Sequence, residues 1–190
     1  MLRARAAALA AAGLCLGGGT CLGHGLYLRA KAALAEVLLE RSWRETVASG
    51  HPVKAWRWAD TWPVAELRFP RLQRTEIVLA QGSGEALAFA PAHLPGTALP
   101  GQRGTSVIAG HRDTHFRFVR ELVLGDAIEV TSADGRTRRF RVSGFAIVSP
   151  RASGIEPGGS TRRLALVTCY PFDALGRSPL RYVVFAEASP

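Results

Sequence analysis

Cys169 closes the apolar run Leu164-Ala165-Leu166-Val167-Thr168 and is followed at once by Tyr170-Pro171. His111 stands in the same relation to an earlier run, Ser106-Val107-Ile108-Ala109, with only Gly110 between. Short apolar runs of this kind read as strands, and a proline just beyond one ends its pairing. A thiol and an imidazole at two strand mouths are placed to share a loop-built cleft, where chemistry concentrates. A cysteine nucleophile needs a proton partner and something to stabilise the charge of a tetrahedral intermediate. Arg181 opens the last apolar run, after Ser178-Pro179-Leu180. Its guanidinium is permanently charged and offers a fork of donors suited to an oxyanion or a peptide carbonyl. Spacing alone leaves Arg181 open between that role and an ordinary surface charge.

The other histidines are less well placed. His24 falls in an N-terminal apolar stretch, His51 in the segment after it, and His93 in a Pro-Gly loop. His111-Arg112-Asp113-Thr114-His115 hints at metal ligands, but a hydrolytic zinc site needs a third. Beyond that run the body offers only His93 and carboxylates without motif spacing, so no metal and no cofactor is expected. The chain carries +9 net charge, and its basic residues are all Arg except Lys31 and Lys54. No dense basic run with interleaved aromatics occurs, which argues against nucleic acid as a partner. A modest positive field beside an anionic membrane explains the charge more simply.

The elements that must hold these residues begin with the N-terminus. Arg3 and Arg5 precede 23 apolar residues, Ala6–Leu28, broken only by His24 and closed by Arg29 and Lys31. At ~1.5 Å per residue such a helix is about 35 Å long, enough for a hydrocarbon core of ~30 Å. The run exceeds the ~7–15 apolar residues of a cleaved signal peptide, so a retained single-span anchor over residues 1–29 is expected. The short N-terminus would stay in the cytoplasm and the body outside, on the extracytoplasmic face of the cytoplasmic membrane. Cys15 and Cys21 would then lie in the bilayer, leaving Cys169 as the one thiol of the external body. A lone thiol there cannot close an intramolecular disulfide. Residues 30–62 read as a juxtamembrane helix or stalk, rich in helix formers to about Ser49. Trp56, Trp58 and Trp62 follow, suited to packing under the body or to lipid headgroups.

From Pro63 the periodicity changes to two, and residues 63–190 read as the catalytic domain. Strands are expected at Val64–Phe69, Thr75–Ala80, Thr105–Ala109, Ala127–Thr131, Arg138–Val148, Arg163–Thr168 and Tyr182–Ala186. A helical turn is expected at Glu85–Ala90, and Asp134-Gly135 marks a hairpin. About seven short strands with long irregular connections make an all-β barrel or sandwich. With 47% hydrophobic and 21% charged residues the chain can bury a core, which excludes a disordered protein.

Taken in order, Gly110-His111-Arg112, Phe116 to Leu122, Gly125-Asp126, Leu166-Val167-Thr168-Cys169 and Arg181 resemble the sortase family of cysteine transpeptidases. The resemblance covers about Pro63 to Ala186. The runs around His111, Cys169 and Arg181 look most like the class found in Gram-negative proteobacteria. It implies a closed eight-stranded β-barrel in which Cys169, His111 and Arg181 converge. By the same resemblance Cys169 is the nucleophile, His111 the general acid/base, Arg181 the oxyanion and substrate-orienting group, and Thr168 a candidate substrate contact. The implied partners are a secreted protein with a C-terminal sorting signal and an amine acceptor in the cell envelope. The loop from Ser149 to Arg162 holds one acid, Glu156, so the calcium site of some sortases is not expected. An L,D-transpeptidase acting on peptidoglycan is the alternative enzyme, but its cysteine follows a Ser-His-Gly run where Leu166-Val167-Thr168 stands here. A non-catalytic binding barrel would leave Cys169 and His111 without a common task.

Overall fold

The computed structural model describes every residue except Met1, Gly82, Ser83, Glu85, Leu175, Arg177 and Pro190, and leaves out the side chains of 2–4 and 6–12. The chain divides into two compact units, residues 1–37 and 38–190. One helix, α1 (Leu2–Ser49), begins in the first and ends in the second.

In the first unit, the helix from Gly13 to Leu34 is exposed, including Leu14, Leu16, Leu22, Leu26, Tyr27 and Leu28. The helix is as long as expected, but its apolar character falls short. Among the described residues no helix is long and apolar enough to cross a membrane. Gly13, Gly17, Gly18, Gly19, Thr20, Gly23, His24 and Gly25 dilute the apolar side chains there, and those of 6–12 lie outside the described set.

The second unit is a barrel. Its strands are β1 (Pro63–Phe69), β2 (Arg74–Leu79), β3 (Ala92–His93), β4 (Gly104–Ala109), β5 (Ala127–Ser132), β6 (Thr137–Val148), β7 (Arg162–Tyr170) and β8 (Leu180–Ala188). They close in the order β1-β2-β3-β4-β7-β8-β6-β5. All neighbours are antiparallel except β2/β3 and β4/β7. Seven of these strands are the expected ones. The eighth, β3, is two residues long and has no run of its own to betray it. Backbone bonding to β2 and β4 makes it a strand, with Leu79 opposite Ala92 and His93 opposite Ile108. The expected helical turn is α2 (Ala86–Phe89); Glu85, its expected first residue, lies outside the described residues.

Alternation explains the interior. Ala65, Leu67 and Phe69 of β1, Ile128 and Val130 of β5, and Leu164 and Leu166 of β7 point inward and join Phe116, Phe118 and Phe140 in one core. Phe118 stands edge-on to Phe69, ring centres 4.7 Å apart, the favoured aromatic geometry. Strands β4, β7 and β8 are also covered outside, where Val107, Ala165 and Val183 form a small second cluster with Val148, Ile155, Val167 and Phe185. Burial on both faces is why β7 reads as an unbroken apolar run rather than an alternating one.

Beneath the barrel the end of α1 is tied down. Ser42 Oγ donates to the Val53 carbonyl at 2.6 Å, and Val53 N–H donates to Thr46 Oγ1 at 3.0 Å. Gly50 ends the helix at φ +70, the left-handed cap that glycine adopts without strain. Of the tryptophans, Trp56 packs edge-on against Phe89 at 5.3 Å, while Trp58 is 85% exposed.

Candidate active site

Strand parity decides which way Cys169 faces. Leu164, Leu166 and Thr168 alternate into the barrel, so Ala165, Val167 and Cys169 face outward. On β8, Val184 and Ala186 face inward, and Arg181, Val183 and Phe185 outward. The two strands are antiparallel and Cys169 pairs directly with Arg181. Opposed residues of an antiparallel pair share a face with Cβ atoms roughly 4.5–5.5 Å apart, so the two side chains leave the sheet side by side. The buried apolar floor of Val107, Ala165 and Val183 leads up to them.

His111 arrives from the other side of β7. Strand β4 runs parallel to it as far as Ala109 opposite Val167. Gly110 N–H then donates to the Val167 carbonyl at 3.0 Å, and Thr168 Oγ1 donates to the Gly110 carbonyl at 2.7 Å. The pairing therefore continues to the residue before His111, which leaves the sheet beside Cys169. The seam needs glycine. A Cβ on Gly110 would lie 2.7 Å from the ring of Phe116, which is fully buried and returns its own N–H to the His111 carbonyl at 2.9 Å.

The three candidate residues thus share one end of three adjoining strands, β4, β7 and β8. Cys169 is a free, partly exposed thiol and His111 is exposed. Arg181 Nη1 donates to the carbonyls of Ser178 and Leu180, both at 2.9 Å. No carboxylate forms an ion pair with it among the described residues. A cation held only by neutral carbonyls keeps its full charge available to an anion forming nearby. Thr168 differs from the expected substrate contact in its surroundings: it is 2% exposed and its hydroxyl is spent on Gly110. It lies on the inner face because it is one residue out of phase with Cys169, and what it does there is fasten β7 to the segment carrying His111.

The remaining histidines are engaged elsewhere. His93 is buried on β3, its Nε2 2.9 Å from the Ala98 carbonyl and 3.0 Å from Thr97 Oγ1. His115 Nδ1 lies 2.9 Å from Glu76 Oε2 on β2. Among the described residues no group of three or more His, Cys, Asp or Glu is arranged to hold a metal.

The sequence reading placed Arg112 in the Gly110-His111-Arg112 run but gave it no role of its own. It is buried beside His111 and reaches the segment joining β7 to β8. Tyr182 was likewise given no role. It stacks between Phe145 and Tyr170 and meets Phe172 edge-on, and burial pushes its phenol above the ordinary range.

The family profile described as the sortase domain matches residues 67–189. Sortase D of Bacillus subtilis (strain 168) is 29% identical over 122 residues, which cover 64% of this chain and 61% of that protein. The chain thus matches about three fifths of that relative's length. Among solved structures, sortase C-1 from Actinomyces oris aligns with TM-score 0.60 and 26% identity over 67% of this chain and 73% of that one. A Clostridium perfringens sortase D5 transpeptidase aligns with TM-score 0.66 over 83% of this chain and 99% of that one, at 19% identity, a likeness of fold.

Proposed function

The chain belongs to the sortase family, whose members are cysteine transpeptidases, and on that premise we propose that it cuts a C-terminal sorting signal of a secreted protein and passes the new carboxyl end to an amine. The Cys169 thiolate attacks a Thr-type carbonyl carbon. Arg181, its cross-strand partner, faces the oxygen as it gains charge and holds the peptide backbone. His111 gives a proton to the departing amine as the C–N bond breaks, leaving a thioester on Cys169. An incoming amine loses its proton to His111, attacks the thioester and releases the thiolate. The acceptor is an amine of the cell envelope, with water in its absence. The observation that carries this reading is the register setting Cys169 of β7 opposite Arg181 of β8, at the end where β4, the other neighbour of β7, leads into His111.

The test uses a library of peptides containing Thr-Gly and Thr-Ala bonds, with hydroxylamine as the amine. The expected result is a peptide adduct on Cys169 by mass and release of a hydroxamate, both abolished in Cys169→Ala and nearly so in His111→Ala. Full peptide turnover by Cys169→Ala sinks the proposal.

For location, we propose an enzyme held at the cytoplasmic membrane by the N-terminal helix, with the barrel on its outer side. The run Ala6–Leu28 between basic flanks supports this, together with the single thiol of residues 38–190. Carbonate washing should leave the chain in the membrane fraction; release into the supernatant overturns the anchor.

A further inference from the structure

Arg112 has no task in the reaction just described, yet it is buried and bonded to two carbonyls of another segment. It is 9% exposed. Its Nη2 spends both hydrogens, one on the carbonyl of Ala174 and one on that of Gly176, each at 2.6 Å. Among the described residues its Nη1 is buried without a hydrogen-bond partner, and no carboxylate forms an ion pair with it. Burying a guanidinium against neutral acceptors, with one donor idle, is unfavourable unless the arrangement does something else.

Both acceptors lie in the segment that joins β7 to β8, the connection between Cys169 and Arg181. That segment has little to hold it in place by itself. Its described internal backbone bonding comes down to Ala174 N–H to the Pro171 carbonyl at 3.4 Å, and Gly176 sits at φ +94. Arg112 reaches it from more than sixty residues away in sequence. One turn therefore does two things: it leaves His111 exposed at the cleft and sends Arg112 inward under the neighbouring loop.

We propose that Arg112 is a positioning residue that clamps the β7–β8 connection as a wall of the cleft, so that it governs peptide affinity rather than thiol reactivity. The effect on affinity rests on the peptide-transfer reading; the clamp itself does not.

Three measurements on the full chain test this with Arg112→Gln, Arg112→Lys and, from the loop side, Gly176→Ala, which leaves Arg112 intact. The first is hydrogen exchange across 171–179. The second is alkylation by iodoacetamide, read at Cys169 by peptide mass because Cys15 and Cys21 are exposed thiols. The third is KM and kcat for the peptide selected from the library above. In Arg112→Gln, exchange of 171–179 should quicken about tenfold while the flanking strands stay protected, as expected for losing charge-assisted bonds. Iodoacetamide should react within about twofold of the parent rate and KM should rise about tenfold with kcat little changed. Arg112→Lys should recover part of the loss, and Gly176→Ala should shift KM in the same direction as Arg112→Gln. Unchanged exchange in 171–179 overturns the clamp, as does a uniform loosening of the whole barrel. Faster exchange with an unchanged KM overturns the positioning role. If the parent protein turns over no peptide, the transfer reading fails, and exchange and alkylation still decide the clamp.

Discussion

Two corners of the barrel use arginine in opposite ways. At the first, Arg71 lays its fork on Asp126, Nε to Oδ1 and Nη2 to Oδ2, both at 2.7 Å, and Nη2 also reaches the Glu121 carbonyl. Asp126 is almost wholly buried and takes a further bond from Val123 N–H at 2.8 Å. The Arg71 guanidinium beside it holds its carboxyl below the usual range. At the second, among the described residues, Arg112 and Arg181 donate only to backbone carbonyls. The first corner neutralises its charge and locks a turn to the start of β5. Among the described residues the second offers no carboxylate to either: Arg181 stands on the cleft face opposite Cys169, and Arg112 ties down the β7–β8 connection. A brace satisfies its groups against one another; a catalytic end keeps them free for charge that appears only during reaction.

The most direct way to break this contrast is to keep the charge at the catalytic end and remove the fork. Arg181→Lys retains a cation but loses the planar donor set. With the selected peptide, kcat should fall about a hundredfold, the scale seen when one oxyanion donor is removed. Melting temperature should barely move, since no ion pair of the fold is lost. An unchanged rate would return Arg181 to the status of a surface charge. Next in size is Gly110→Ala, which acts on the seam between β4 and β7. Its Cβ would press on a buried ring, and overpacking of that kind costs about 1–3 kcal/mol. The variant should therefore melt earlier and also lose kcat, because relief of the clash shifts the segment that carries His111. Loss of stability with kcat intact would mean that the seam does not position His111.

Much of this was legible beforehand, for identifiable reasons. Cys169 and His111 each follow an apolar run, and such runs can be read locally: Pro171 stops the pairing just beyond Cys169, while Gly110 still pairs with Val167 before His111 leaves the sheet. Arg181 was ambiguous by spacing and was singled out by the family resemblance; the register adds that it stands opposite Cys169 across two strands whose neighbourhood no local pattern encodes. Parity then separated Cys169 from Thr168. Adjacent in sequence, they lie on opposite faces, so one meets the cleft and the other ties the backbone beneath it. Strand β3 was invisible because two residues have no periodicity, and His93 went with it, read as a loop residue although it is buried and bonded. Arg112 was hidden for another reason: a basic residue in a turn reads as solvated until the partner loop is known. At the N-terminus, counting apolar residues predicts a span, whereas among the described residues no helix is long and apolar enough to cross a membrane.

The smallest effect on catalysis should come from the brace. Asp126→Asn keeps the shape and removes the charge that answers Arg71, so the melting temperature should fall while kcat stays within about twofold, as for a site distant from the reacting groups. The pH dependence sharpens the test. The Asp126 carboxyl is more acidic folded than unfolded, because Arg71 bonds its charged form. Its contribution is therefore complete above the unfolded value of about 4 and fades as pH falls through the lower, folded value. The asparagine variant has no such contribution to lose. The gap in melting temperature between the two proteins should accordingly hold steady from neutral pH down to about pH 5 and narrow below about pH 4. A gap of equal width at both ends would show that the amide disturbs packing and that the ion pair is not the brace. A marked fall in kcat would show that the two corners are coupled, and that the catalytic end depends on a charge balance reaching across the barrel.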